Sequence, residues 1–338
     1  MLTIKNSIKN ISRIAVIFIS IIAILTYTWK MDKSVKQNFS TIFISIIIEA
    51  LPFIILGSFV SALIQVLVTE DTIAKLIPKN RFLALLCASL IGMIFPVCEC
   101  AIIPIVRRLI KKGLPVGIGI TIMVAVPIIN PVVLISTYYA FINKPVIVFL
   151  RALFGIIAAS SIGFIMGKIE KNNGSILNSN GYDNNRCYCG CEDEAGYIRK
   201  SIVTRIIDHT SVELYNVGRF LILGAFISSV FQTFVSRNYI SLIGNHFVLS
   251  IVVMMLLAFV LSICSAADAF IARTFLGQFT IGSICVFLIL GPMIDIKNTV
   301  MLCGTFKKKF VINFMICVII LCFFIGVLIN TSSGLGVI

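Results

Sequence analysis

The chain has 338 residues, of which 59% are hydrophobic and 12% are charged. Soluble domains contain about half apolar and about a quarter charged residues, so this composition excludes an ordinary soluble protein. The formal charge of +14 does not indicate nucleic-acid binding, because the Lys and Arg residues stand in short loops between apolar runs. Several of these runs are long enough to cross a bilayer. We therefore predict an all-α polytopic membrane protein without a cofactor.

The N-terminal residues 1–38 are predicted to form an extra helix and a loop. Three basic residues precede an apolar run from Ile14 to about Tyr27, as in a signal peptide. The letters that follow the run, T-W-K-M-D-K, lack the small-residue cleavage pattern. We expect an uncleaved helix, with an interfacial helix as the alternative.

Eight further apolar segments follow, which gives about 8–9 transmembrane helices in total. A polar linker over 168–205, rich in Asn, Gly and Ser, divides them into two regions, 39–167 and 206–338. The predicted segments are 40–68, 82–105, 114–142 and 145–167 before the linker, and 211–236, 246–272, 278–303 and 308–330 after it.

The two regions resemble each other in sequence. F-I-I-L-G-S-F-V-S-A-L-I-Q (53–65) aligns without a gap on F-L-I-L-G-A-F-I-S-S-V-F-Q (220–232). With one-residue shifts, the alignment also pairs Cys98 with Cys264, Gly117 with Gly282, Pro127 with Pro292 and Asn130 with Asp295. This order predicts an internal duplication, which is typical of secondary transporters. Parallel and inverted arrangements of the halves both remain open.

The first candidate site is the run P-V-C-E-C-A-I-I-P, which holds Cys98, Glu99 and Cys100 between Pro96 and Pro104. Prolines interrupt a helix, and unpaired backbone at membrane depth must be buried in protein or line an aqueous cavity. An ionisable group such as Glu99 usually faces a transport pathway, although it could also lie near the interface. In unwound backbone, the two thiols could converge on a soft ligand.

A second predicted interruption holds Pro127, Asn130 and Pro131, opposite G-P-M-I-D-I-K-N in the second half. Matched Pro and Gly interruptions in two halves indicate the binding site of a transporter. Asp295 in the second interruption is a candidate for coupling a proton or cation to transport. Its alternative is a structural role in which Lys297 neutralises it.

Two further groups are candidates. Asp268 follows Cys264 in S-I-C-S-A-A-D-A-F, the degenerate counterpart of the cysteine–glutamate motif. Asp268 either takes part in transport or lies at the end of a helix. In the linker, Cys187, Cys189 and Cys191 could hold a thiophilic metal ion. Reduced solvated thiols, or a disulfide in an oxidising compartment, are the alternatives for these three.

The run F-P-V-C-E-C-A-I-I-P-I-V-R-R-L-I-K-K-G-L-P, followed by A-V-P-I-I-N-P-V-V-L-I-S-T, resembles the predicted permease family that includes the organoarsenical efflux permeases. The resemblance covers about residues 39–330. It implies a permease of the inner membrane, and some relatives export trivalent arsenicals. The family's cysteine motif falls on Cys98 and Cys100. One departure is Ala101, where relatives typically have Gly, which puts the geometry of the bend in question.

These observations lead to the hypothesis of a secondary-active permease of the cytoplasmic membrane, not an enzyme, that exports a thiophilic metalloid, a metal or an organic derivative. Its thiols would exchange with the cargo and a carboxylate would take up a proton. The expected partners are membrane lipids and the cargo, with a homo-oligomer left open. The alternatives are a membrane thiol–disulfide oxidoreductase and a channel or subunit of a larger complex. The predicted transport residues are Cys98, Glu99, Cys100, Pro127, Asn130 and Pro131 from the first half, and Cys264, Asp268 and Asp295 from the second.

Overall fold

The computed structural model describes residues 33–67, 80–90, 99–170, 202–234 and 247–334, together with the single positions 78 and 93. Throughout these ranges the regular secondary structure is helical. An isolated β-bridge joins Leu276 to Phe279. The all-α prediction is therefore confirmed. The predicted N-terminal helix and the linker cysteines Cys187, Cys189 and Cys191 lie outside the described residues.

Six helices precede the linker in the described ranges. They are α1 (Lys33–Leu67), α2 (Arg81–Leu90), α3 (Glu99–Lys111), α4 (Val116–Ile129), α5 (Pro131–Ala140) and α6 (Val146–Ile169). Six more follow it: α7 (Ile202–Phe234), α8 (Phe247–Leu261), α9 (Asp268–Thr274), α10 (Ile281–Met293), α11 (Ile296–Thr305) and α12 (Lys308–Gly334).

Six stretches of the described helices are long and apolar enough to cross a membrane. The chain is thus a multi-pass membrane protein. These stretches match six of the predicted segments closely: Val35–Leu63, Val116–Ala140, Val146–Ile169, Ile206–Thr233, Ile281–Thr305 and Lys308–Ser332. The predicted segments 82–105 and 246–272 differ, because each contains two short helices in place of one long one.

The two interrupted spans form the centre of the bundle. In Val116–Ala140 and Ile281–Thr305, 72% and 89% of the most apolar window is buried, against 24% to 44% in the other four spans. Helices α4 and α10 contact each other, and α6 and α12 pack against α4 and α10 respectively. The exposed apolar side chains of the outer helices are where a bilayer would contact the protein.

The first central span is interrupted at Asn130 and Pro131. A residue before proline is driven out of the helical region, and Asn130 has φ −52° and ψ 133°. Its Oδ1 accepts a hydrogen bond of 2.9 Å from the backbone N–H of Val132 and so caps α5. Pro127 lies inside α4, which ends two residues after that proline, at Ile129.

The second central span is interrupted at Asp295, the residue that the alignment pairs with Asn130. Asp295 has φ −141° and ψ 177°, and its side chain caps α11 by accepting from the backbone N–H of Asn298. Pro292 lies within the last turn of α10. Both central spans therefore break at a polar residue that caps the helix after it.

Close packing of backbone holds each central span against its outer helix. A Cβ added at Gly117 in α4 would lie 2.6 Å from the carbonyl oxygen of Gly163 in α6. A Cβ added at Gly282 in α10 would lie 2.6 Å from the carbonyl oxygen of Gly326 in α12. Small residues allow such close approach in membrane helices.

Candidate functional site

A cavity of about 230 Å³ lies between helices of the two halves. Its walls come from α1 and α3 of the first half, and from α7, α9, α11 and the connection between α8 and α9 of the second. Much of the wall is apolar, including Ile42 and Ile263. The polar or thiol-bearing side chains lining it include Glu49, Glu99, Cys100, Gln232, Cys264 and Lys297.

Two glycines bring the outer helices close to this cavity. A Cβ at Gly57 in α1 would overlap Ala101 in α3, and a Cβ at Gly224 in α7 would lie 2.9 Å from the Cα of Lys297 in α11. The sequence alignment pairs Gly57 with Gly224. Both glycines therefore allow a long helix to contact a short helix that carries a charged side chain of the site.

Glu99 is the first residue of α3 and is 3% exposed. A carboxylate at a helix N-terminus is favoured by the helix dipole and by the unpaired N–H groups there. Its Oε1 lies 3.2 Å from the Nζ of Lys297, and its Oε2 accepts a hydrogen bond of 3.3 Å from the hydroxyl of Ser265. Glu99 is therefore held from two sides by the second half of the chain.

Lys297 joins two carboxylates. Its Nζ is 3.2 Å from Glu99 and 3.7 Å from the Oδ2 of Asp295, and all three side chains are at least 96% buried. Two negative charges therefore face one positive charge. This triad of Glu99, Lys297 and Asp295 therefore carries a formal excess charge of −1. Such a charge is costly at membrane depth unless another group compensates it.

A second buried ion pair joins Arg151 of α6 to Asp268 of α9. Two guanidinium nitrogens each lie 3.1 Å from a carboxylate oxygen of Asp268, and Nη1 also donates to the hydroxyl of Thr137 at 2.8 Å. Such bidentate pairing is the strongest geometry for a buried pair. Arg151 is fully buried and Asp268 is 3% exposed. This pair is formally neutral.

Ser265 connects the triad to the second ion pair. Its hydroxyl donates to Glu99, and its backbone carbonyl accepts a hydrogen bond of 3.2 Å from Nη2 of Arg151. Ser265 follows Cys264, which lines the cavity. The five charged residues thus form one connected buried network, in which the Glu99–Lys297 and Arg151–Asp268 pairs bridge the halves.

The structure brings some of the predicted transport residues together. Glu99, Cys100 and Cys264 line the cavity, and Asp295 contacts Lys297 at its edge. Asp268 is paired with Arg151, and Asn130 and Pro131 form the break before α5. Cys98 lies outside the described residues.

The described thiols do not form a preformed metal centre. Within the part of the chain that the structure describes, no three His, Cys, Asp or Glu side chains are grouped closely enough to hold a metal ion. Cys100 is buried and Cys264 is partly exposed. The described cavity can therefore offer a soft ligand two thiols, one from each half.

Sequence reasoning did not single out Arg151 or Ser265. Arg151 did carry a signal, because a lone arginine inside an apolar segment is a functional candidate by default. Ser265 had no comparable signal, since a serine among small residues is common in membrane helices. Its role depends on contacts with residues more than 100 positions away.

Comparison with protein families matches residues 36–331 to a family described as "Predicted permease". This match covers most of the chain. The chain belongs to this family of permeases. The membership agrees with the resemblance seen in the cysteine and proline motifs, and it favours a transporter over an enzyme.

Two bacterial relatives are similar to this permease along most of their length. "UPF0718 protein YcgR" of Bacillus subtilis is 44% identical over 80% of this chain and 90% of its own. "Putative two-component membrane permease complex subunit" of Streptococcus mutans is 39% identical over 88% of this chain and 98% of its own. No solved structure matches the permease.

Proposed function

We propose that this permease is a secondary-active exporter of the cytoplasmic membrane, and that its cargo is a small thiophilic metalloid, a metal or an organic derivative of one. The observation that carries the proposal is the cavity between the halves, which Cys100 lines from the first half and Cys264 from the second. Thiols bind soft ions and metalloids in preference to hard ones. The apolar part of the wall suits an organic substituent on the cargo.

The thiols would bind the cargo by exchange. As each sulfur–metalloid bond forms, the thiol proton combines with a hydroxide ligand of the cargo, which leaves as water. Release reverses this step, so no oxidant or reductant is needed. In the same cycle, the triad of Glu99, Lys297 and Asp295 would take up and release a proton or cation, because its excess negative charge favours a positive partner.

We propose that residues 39–167 and 206–338 are duplicated halves, an arrangement that would suit this mechanism. The two halves have the same order of helices: one long, two short, one interrupted span and one long. The aligned glycines Gly57 and Gly224 have the same packing role. Duplicated halves move relative to each other around a central site in secondary transporters.

The proposal can be tested by transport into everted membrane vesicles. Vesicles containing the wild-type protein should accumulate a trivalent organoarsenical when an ion gradient is imposed. Cys100→Ser and Cys264→Ser should each reduce the initial uptake rate at least about tenfold, because one thiol cannot chelate the cargo. Cys87→Ser is the matched control, since Cys87 is exposed on α2 and does not line the cavity. Unchanged uptake in both cavity variants would remove the thiols from the mechanism.

A second candidate function is that of one subunit in a larger permease complex. The observation in its favour is the name of the Streptococcus mutans relative, a complex subunit. Purified protein in liposomes separates the two functions. Cargo transport by this chain alone supports the single-protein exporter, whereas transport that requires a co-purified membrane protein supports the complex.

A further inference from the structure

We propose that Glu49 is a further specificity-determining residue of the cavity, and that its unbalanced negative charge favours cationic and uncharged cargo over anions. Glu49 lies in α1 and lines the cavity together with Cys100 of the first half and Cys264 of the second. As a statement about cargo, this inference rests on the proposed function, because it names the charge class of what the two thiols would bind. The charge of the cavity itself can be measured without transport.

Glu49 lies at the middle of a membrane-length stretch of α1. The stretch Val35–Leu63 is long and apolar enough to cross a membrane, and Glu49 stands midway between its ends. A carboxylate at this depth is costly in hydrocarbon, and it usually faces a transport pathway. The α1 residues that line the cavity recur at intervals of four, so they share one face of the helix. They are Thr41, Ile42, Ser45, Ile46, Glu49 and Ala50. Glu49 therefore belongs to the face of α1 that borders the cavity.

Glu49 differs from Glu99 in its lack of a partner. The carboxylate of Glu99 is bound by Lys297 and by the hydroxyl of Ser265. The side chain of Glu49 is exposed, and among the residues that the structure describes it forms neither an ion pair nor a hydrogen bond. No described cation therefore neutralises Glu49, and its charge is left to act on whatever enters the cavity.

The described charges at the cavity have a negative excess. Glu49, Glu99 and Lys297 line it, and Asp295 contacts Lys297 at its edge. The triad contributes a formal charge of −1 and Glu49 contributes another −1, which gives −2 in total. A cleft whose walls carry one sign of charge attracts ions of the opposite sign and repels ions of the same sign. Anionic cargo is therefore disfavoured, whereas uncharged and cationic cargo is not.

Cys264 can report the electrostatic potential that Glu49 creates. The two residues line the same cavity, and they are close enough to interact electrostatically. A charged reagent that reacts with the thiol of Cys264 must enter this potential. The ratio of the rates for a cationic and an anionic reagent measures the potential, because a change in the reactivity of the thiol itself affects both rates equally and cancels.

We would treat the purified full-length protein with two methanethiosulfonates, one bearing a trimethylammonium group and one a sulfonate, and follow labelling of Cys264 by mass spectrometry. Glu49→Gln should lower the ratio of cationic to anionic rate at least about tenfold, because loss of the charge slows the cation and speeds the anion. Glu49→Lys should lower it further. Glu170→Gln is the matched control and should leave the ratio unchanged, since Glu170 lies at the end of α6 and does not line the cavity.

Transport gives a second readout, in everted vesicles with two trivalent phenylarsenicals that differ only in a para carboxylate. The wild-type protein should take up the uncharged compound at least about ten times faster than the carboxylate, and Glu49→Gln should narrow this preference. An equal ratio of labelling rates in Glu49→Gln and the wild-type protein would overturn the role of Glu49. The expected labelling ratios without any arsenical transport would overturn the exporter and leave the charge of the cavity in place. Arsenical transport with an unchanged labelling ratio would do the reverse.

Discussion

The Nζ of Lys297 lies 3.2 Å from the Oε1 of Glu99, a residue 198 positions earlier in the chain. This contact joins the first residue of α3 to the first turn of α11, and both side chains line the cavity between the halves. The ion pair therefore joins the two halves of the chain at the proposed cargo site.

Removing the cation of this pair should destabilise the protein strongly. Lys297→Met leaves Glu99 and Asp295 buried together without a positive partner, and losing one member of a buried pair costs about 3–5 kcal/mol. The expected result is a large drop in melting temperature of the detergent-solubilised protein. Adding Glu99→Gln to Lys297→Met should recover part of the loss, because it removes one of the two stranded charges. No recovery would mean that Glu99 and Lys297 do not interact.

The pair of Arg151 and Asp268 permits a cleaner test of the same kind. Arg151→Met and Asp268→Leu should each cost about 3–5 kcal/mol, while the double substitution should cost much less than their sum, because no unpaired charge remains. The measurement is a double-mutant cycle on thermal unfolding. Additive losses would contradict the direct contact of the two side chains.

The contact between α1 and α3 should depend on the size of two residues. Gly57→Ala places a methyl group against Ala101 and should cost about 1–3 kcal/mol through overpacking. The size exchange Gly57→Ala with Ala101→Gly should restore much of the stability. Gly218→Ala is the matched control in α7, since nothing lies within 4 Å of its added Cβ, and it should be neutral or slightly stabilising. A control as damaging as Gly57→Ala would refute the packing explanation.

The thiols should differ in reactivity according to their position. In a variant that retains Cys264 alone, a small methanethiosulfonate reagent should react at least about ten times faster than in a variant that retains Cys285 alone. Cys264 is partly exposed and lines the cavity, whereas Cys285 is fully buried in α10. Reaction rates can be followed by mass spectrometry. Equal rates would indicate that solvent does not reach Cys264 through the cavity.

Much of the fold could be predicted from the sequence, because apolar runs determine where membrane-length helices occur. The interruptions at Asn130 and Asp295 were also predicted within a few residues, since proline and glycine limit backbone conformation. The run between Pro96 and Pro104 was predicted to be unwound, whereas Glu99 begins α3 and Pro104 lies inside that helix. The short helix α9 was not predicted, because an apolar run does not reveal where a helix ends inside it. Hydropathy indicates whether a residue favours water or an apolar environment, but it does not indicate which hydrogen bonds its backbone makes.

The site was predictable only in part. Glu99 and Asp295 were identified because ionisable groups in apolar runs are rare, and the cavity does bring Glu99 and Cys100 together with Cys264. The bond between Arg151 and Asp268 was not foreseen, because it joins residues 117 positions apart. Such a pairing depends on how α6 and α9 pack, which local sequence patterns do not encode.

The sharing of ion pairs between the halves has a consequence for biosynthesis. During translation, Glu99 is made 198 residues before its partner Lys297, and Arg151 is made 117 residues before its partner Asp268. Until then, the nascent first half holds two charges with no matching countercharge from the second. The insertion machinery must therefore keep these unpaired charges out of the hydrocarbon until the second half is made. A truncated first half should be degraded rapidly by membrane proteases.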